Sequence, residues 1–349
     1  MKALVLEGGG TKGSYEVGAY QALVECGYKF NCVIGASIGA FNGAMIASGK
    51  LKELKQFWEE VNVGSILGLS DSTIEAINDK RINLDMLKDL VDIIKNKGID
   101  LDQLISILNE LVDEDTVRKS KMNFGLVTVK RKNMEPVEIF IKDIPKGKLS
   151  EYINASCYLP GFKKIKLIDD EYYFDGGFHD VCPVNMALNA GYNDIVAIRV
   201  KGIGVFKKVE SDTANILYLE PSRNLGSILC VNQAQMIENI KMGYYDTMRV
   251  LKNLDGFSFT FNKKPLRFYK FIMRKIPNME YRRIKAYFNT TNEKDTIIKA
   301  VEYVLEKEYE NYYETRDIKK TIKYIKKNYS YNDHFIYDFV CHLKFIFHW

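Results

Sequence analysis

Ser37 lies in Gly35-Ala36-Ser37-Ile38-Gly39, after the apolar run Asn31-Cys32-Val33-Ile34 and before a small-residue stretch that reads as helix. A G-x-S-x-G pentapeptide in this setting holds a serine hydroxyl exposed on a sharp strand-to-helix turn, where it can act as a nucleophile. Gly35 and Gly39 remove side chains that would collide with the strand or with an incoming acyl group. Upstream, Gly8-Gly9-Gly10-Thr11-Lys12-Gly13 follows an apolar strand and precedes a helix. Its backbone N–H groups, reinforced by the helix N-terminus, suit either a pyrophosphate or the oxyanion formed when serine attacks an ester carbonyl. Downstream, Asp175-Gly176-Gly177 follows Tyr172-Tyr173-Phe174 and sets a carboxylate at a strand end. Read alone, that triplet is also a plain turn.

The glycine loop formally satisfies G-x-G-x-x-G, but a dinucleotide site also wants an acidic residue about twenty positions on. Asn31-Cys32-Val33-Ile34 occupies that place without a carboxylate, and Lys12 precedes Gly13 rather than following it as a P-loop requires. Lys12 reads as a solvated or phosphate-facing charge. A serine nucleophile needs a base within hydrogen-bond reach. Of the four histidines, His334, His342 and His348 belong to the C-terminal tail, and His179, just past Asp175, stays open as that base. An α/β-hydrolase triad runs Ser, Asp, His, with an elbow that normally follows several strands, not one. An aspartate acting directly on the serine suffices where desolvation raises its basicity.

These motifs need elements to hold them. Lys2–Glu7 and Cys32–Ala36 read as strands, Ser14–Cys26, Ser37–Ser48 and Leu51–Val61 as helices, an alternation that predicts a parallel α/β sheet. Residues 71–117 are charged and helical in period, an outer layer more than an inserted cap. Met122–Lys130, Pro136–Lys142, Asp194–Val200 and Asn215–Leu219 read as strands, with a hairpin pattern of Lys164–Ile168 and Tyr172–Phe174 around Asp169-Asp170-Glu171. Asn232–Leu254 is a long amphipathic helix. A boundary near Gly256–Lys264 divides a catalytic domain, 1–255, from an extension, 256–349, in which no strand pattern persists after Phe261.

The 349 residues are 46% hydrophobic and 27% charged, an ordinary globular balance with a net charge of +5. From Phe261 onward, however, 19 Lys+Arg face 11 Asp+Glu, and 20 of the chain's aromatic residues gather there. A basic, aromatic end suits an anionic surface, nucleic acid or membrane, and equally a helical appendage with an aromatic core. Thr315–Lys327 places Ile318, Ile322 and Ile325 on one helical face with lysines mostly elsewhere, the pattern of an interfacial helix. His334–Trp349 is apolar but too short to span a bilayer. The uncharged Phe30–Gly49 has spanning length, yet the elbow interrupts it, so no membrane span is expected. The six cysteines show neither C-x-x-C nor metal-like spacing and the chain opens directly on a strand, so free thiols in a reducing cytoplasm are expected.

Taken together, the glycine loop, the Gly35–Gly39 elbow and Asp175–Gly177, in this order and spacing, resemble the patatin-like phospholipases. The likeness extends to Ala155-Ser156-Cys157-Tyr158-Leu159-Pro160 and to the proline of Asp175–Val184, Pro183, where Cys182 stands in the place of the family's common asparagine. It covers about Met1 to Leu254. The resemblance implies a three-layer fold with a mainly parallel central sheet flanked by helices. It also implies a serine lipid acyl hydrolase with Ser37 as nucleophile and Asp175 as general base. Backbone donors of Gly8, Gly9 and Gly10, with Ile38, would hold the oxyanion, supported by Gly13, Gly35, Gly39, Gly176 and Gly177. No metal or cofactor is implied. The partner is a lipid acyl ester, with peripheral contact to an anionic membrane through the extension and no nucleic acid. An acyltransferase or a non-hydrolytic lipid-binding relative is the alternative. Phe41, Met45, Leu159 and Phe162 are candidate acyl-pocket residues that read equally as core.

Overall fold

A computed structural model describes residues 1–66, 102–159, 162–163, 165–308, 315–325 and 334–346. Strands β1 (Lys2–Leu6), β2 (Cys32–Ala36), β3 (Asn123–Lys130), β4 (Glu135–Phe140), β5 (Tyr173–Phe174), β6 (Asp194–Ile198) and β7 (Asn215–Leu219) form one sheet. Its order is β4-β3-β2-β1-β6-β7, with β5 also paired to β3. Neighbours from β3 through β7 run parallel, Leu4 opposite Val33 and Val196, while β4 and β5 run antiparallel to β3. Every residue of β2 and all but the first of β1 are buried. Such continuous apolar strands belong at the centre of a sheet covered on both faces.

Helices α1 (Ser14–Glu25), α2 (Ile38–Ala47), α3 (Leu51–Glu60), α4 (Val63–Ile66), α5 (Asp102–Leu111), α6 (Glu114–Lys119), α7 (Leu149–Ser156), α8 (Val184–Asn189) and α9 (Gln233–Leu251) supply the cover. Buried on nearly all sides, α1 approaches α9 backbone to backbone. A Cβ on Gly18 would fall 1.8 Å from the Ile240 carbonyl oxygen, and one on Gly243 would fall 2.0 Å from that of Tyr15. The result is a mostly parallel sheet flanked by helices, the expected architecture.

Local expectations fare unevenly. Ile165–Leu167 form no strand, and Ile168–Asp170 is a 3-10 turn with Asp169 at φ 50°. The expected hairpin is therefore absent from the described part, and β5 pairs with the edge of β3 instead. The helical stretch predicted over 71–117 lies outside the described residues as far as 101. From Asp102 it is α5 and α6, and Leu108 of α5 forms part of a cavity wall.

The chain divides into two compact units, Met1–Tyr244 and Tyr245–Trp349. The second contains α10 (Leu266–Met273), α11 (Asn278–Tyr287), α12 (Glu293–Glu308), α13 (Ile318–Tyr324) and α14 (His334–Ile346). Two short parallel strands, β8 (Thr260–Phe261) and β9 (Thr315–Arg316), join them, so the absence of strands after Phe261 does not hold. Ile318, Ile322 and Ile325 are buried in this unit's own core with Phe261, Tyr269 and Phe339. An amphipathic face reads the same whether it meets lipid or protein, and here it meets protein. Among the described residues, no helix is long and apolar enough to cross a membrane.

Candidate active site

The carboxyl ends of β1 and β2 deliver the glycine loop and Ser37 to the same edge of the sheet, where open parallel sheets place their sites. Ser37 adopts φ 54°, ψ −133° ahead of α2. A non-glycine residue held there costs on the order of 1–3 kcal/mol, which surrounding structure must offset. The turn is tight enough that a Cβ on Gly35 would fall 2.2 Å from Gly39 carbonyl atoms, and one on Gly39 would fall 2.6 Å from the Leu6 oxygen. Part of the offset comes from Ser156 at the end of α7. Its buried hydroxyl accepts the Ser37 N–H (2.9 Å) and donates to the Val127 carbonyl of β3 (2.7 Å). Two residues on, the Tyr158 carbonyl accepts the Asp175 N–H at 2.8 Å. One short segment thus clamps both the elbow and the turn that carries the carboxylate.

Asp175 is buried. One carboxylate oxygen, Oδ1, accepts the Gly177 N–H at 2.8 Å, and the other, Oδ2, has no partner at hydrogen-bond length. Desolvation pushes its pKa up to about 6, against the lowering effects of the Ser37 hydroxyl and the Gly177 N–H. The Ser37 hydroxyl is thus near enough to the Asp175 carboxyl to act on its ionisation. Gly176 lets this turn lie against β3, since a Cβ there would meet the Val127 oxygen at 2.2 Å.

The glycine loop needs one correction. Gly8 N–H donates to the Val181 carbonyl at 2.8 Å and so is already engaged. Gly8 serves the site by lacking a side chain, because a Cβ would press on the Ser37 Cβ at 2.9 Å. Gly9, Gly10 and Ile38 make no backbone N–H bond among the described residues, so these donors stay open. Thr11 N–H donates to Ile228, and the Gly13 carbonyl accepts from Asn42.

An apolar cavity of about 90 Å³ opens beside Ser37, walled by Phe57, Trp58, Val61, Ile66, Leu108, Leu159, Phe162 and Ile228. Of the four candidate acyl-pocket residues, Leu159 and Phe162 line it, whereas Phe41 and Met45 are plain core. Trp58 is fixed by a buried chain that sequence reading missed. Its indole N–H donates to Asn42 Oδ1 (3.0 Å), whose amide donates to Glu16 Oε2 (2.7 Å). Burial pushes the Glu16 carboxyl well above the usual range. No motif or spacing in the sequence singles out Glu16, and only its proximity to Asn42 in the folded protein does.

His179 does not reach the serine. Its Nε2 lies 2.7 Å from Lys207 Nζ and 3.0 Å from Glu138 Oε1. Lys12 Nζ donates to the Lys201 carbonyl at 2.9 Å. None of the six cysteines is joined in a disulfide among the described residues.

An NTE family protein of Mycobacterium tuberculosis is 30% identical over 200 residues, covering 57% of this chain and 48% of that one. Rat patatin-like phospholipase domain-containing protein 7 is 26% identical over the same share of this chain but only 13% of its own length. The chain thus spans less than half the length of these curated relatives. VipD from Legionella pneumophila aligns over 99% of this chain and 88% of its own, at 14% identity and a TM-score of 0.47. The family profile for patatin-like phospholipase matches residues 4–188, and the chain belongs to that family.

Proposed function

We propose that the protein hydrolyses fatty acyl esters of lipids through an acyl-Ser37 intermediate, with Asp175 as general base. The observation that carries this reading is a desolvated carboxylate with an unpartnered oxygen, near a strained serine that borders an apolar cavity. Asp175 takes the hydroxyl proton as Ser37 Oγ bonds to the acyl carbon, and the carbonyl π electrons move onto oxygen. The N–H groups of Gly9, Gly10 and Ile38 are the donors offered to that oxyanion, each worth roughly 3–4 kcal/mol of barrier. Collapse breaks the bond to the leaving alcohol, which receives the proton from Asp175. Water then repeats the sequence, with Asp175 again taking the proton, and fatty acid leaves Ser37. The apolar walls favour an aliphatic acyl chain and disfavour a charged substituent.

The test is turnover on a panel of phospholipid, lysophospholipid and neutral glyceride esters, with a fluorophosphonate label mapped by mass spectrometry. Ser37→Ala should abolish both label and turnover. Asp175→Asn should reduce turnover by about 10³-fold or more with the fold retained. Full activity in Asp175→Asn, or label on another residue, would overturn the reading.

A further inference from the structure

After β6 the chain runs from Arg199 to Lys208 along the sheet edge that carries Ser37. Its backbone is pinned there from three sides. Glu7 accepts the N–H groups of Val200 (2.7 Å) and Lys201 (3.1 Å). Gly202 lies so close that a Cβ would fall 1.7 Å from the Gly8 oxygen, and Val205 N–H donates to the Gly177 carbonyl at 2.8 Å. The segment therefore rests on both the glycine loop and the Asp175 turn. Val200 is buried, but the later apolar side chains are not: Ile203 is 76% exposed, Val205 49% and Phe206 43%, with Phe178 on the Asp175 turn at 42%. Four such side chains gathered at one site edge form an apolar surface that calls for an occupant.

The charges nearby say which. Lys201 and Lys208 bracket the apolar residues, are exposed and make no ion pair among the described residues. Arg199 lies 4.1 Å from the centre of the Phe206 ring and offsets Glu220. The first carboxylate along the chain beyond the loop is Glu210. Apolar side chains collared by free lysines match the boundary between acyl chains and anionic headgroups. The isoleucine face of α13, the rival for that role, is already buried.

We infer that this loop is the surface by which the protein docks on an anionic bilayer. Ile203, Val205, Phe206 and Phe178 enter the headgroup boundary, and Lys201 and Lys208 meet lipid phosphates. Docking in this orientation turns the Ser37 edge toward its substrate, an inference that rests on the lipid-ester reading of that site.

Co-sedimentation of the full chain with phosphatidylcholine vesicles, with and without phosphatidylglycerol, tests the surface. The Ser37→Ala background keeps lipid intact and separates docking from chemistry. Replacing Ile203, Val205 and Phe206 together by serine should weaken partitioning by about tenfold or more on both vesicles. Lys201→Gln and Lys208→Gln should each weaken it about fivefold on anionic vesicles alone, and high salt should reproduce that loss. With Ser37 restored, the triple variant should turn over a water-soluble monomeric ester within about twofold of wild type, since none of the three side chains lines the cavity. Parent-like sedimentation of the triple variant, or a parent that ignores anionic vesicles, overturns the inference. Loss of vesicle binding without any ester turnover in wild type would retain the docking surface and remove the hydrolase reading instead.

Discussion

Asp175 in the first unit and Glu302 in the second are both buried carboxylates lifted by desolvation, to about 6 and about 7. Their surroundings differ in one respect. Glu302 Oε1 accepts three backbone N–H groups, from Phe257 (2.7 Å), Ser258 (3.1 Å) and Phe259 (3.0 Å), and so anchors a loop. Asp175 accepts one such bond on Oδ1, leaves Oδ2 without a partner, and has the Ser37 hydroxyl near enough to lower its pKa. A raised pKa or an uncommitted oxygen by itself marks burial, as at Glu16; what sets Asp175 apart is that both occur beside the Ser37 hydroxyl.

The sharpest way to break this comparison is to neutralise each acid in turn. Asp175→Asn is expected to lose about 10³-fold or more in turnover, and Glu302→Gln to stay within about twofold, because its amide oxygen can still accept the loop's N–H groups. Stability should respond alike in both. Each carboxyl has a folded pKa above its unfolded value, so its contribution is fully present at low pH and is lost as pH rises toward the folded pKa. Removing the ionisable group should stabilise each variant relative to wild type as pH rises from 4 to 8, by up to about 3 kcal/mol. Wild-type kcat/KM should climb about tenfold per pH unit below pH 6 and level above it, as Asp175 ionises. Loss of turnover in Glu302→Gln, or a flat acid limb in wild type, would remove the distinction.

The clamp at Ser156 sharpens the first half of the comparison, since it asks how the open oxygen and the serine are kept aligned. Ser156→Ala leaves the Ser37 N–H and the Val127 carbonyl without this buried partner. It should lower kcat by about 10–100-fold with KM nearly unchanged, and slow fluorophosphonate labelling to match. A lower melting temperature with an unaltered labelling rate would make the residue structural only.

The contrast also explains what the sequence could yield. Ser37, the glycine loop and the central strands were legible because local rules govern them: an apolar run entering a glycine-bounded turn has few other foldings. Asp175 became legible only as one member of a set. The engagement of Gly8 N–H by Val181, the Ser156 bridge and the Glu16–Asn42–Trp58 chain all join residues remote in sequence, and no periodicity encodes such bonds. The tail isoleucines failed for another reason. Residues 318, 322 and 325 carry the spacing that either a bilayer or a protein core demands, and α12 and α14 supply the core.

The smallest effect is expected at His179, the rival base. An imidazole that activated Ser37 would need a ring nitrogen free to accept its proton. Nε2 instead sits between Lys207 Nζ and Glu138 Oε1, a cation and an anion that already compete for it. His179→Gln should therefore change kcat/KM by less than about twofold and leave the position of the acid limb where Asp175 sets it. A limb displaced in His179→Gln, or a loss near that of Asp175→Asn, would shift the base to the imidazole and leave Asp175 as another buried anchor like Glu302.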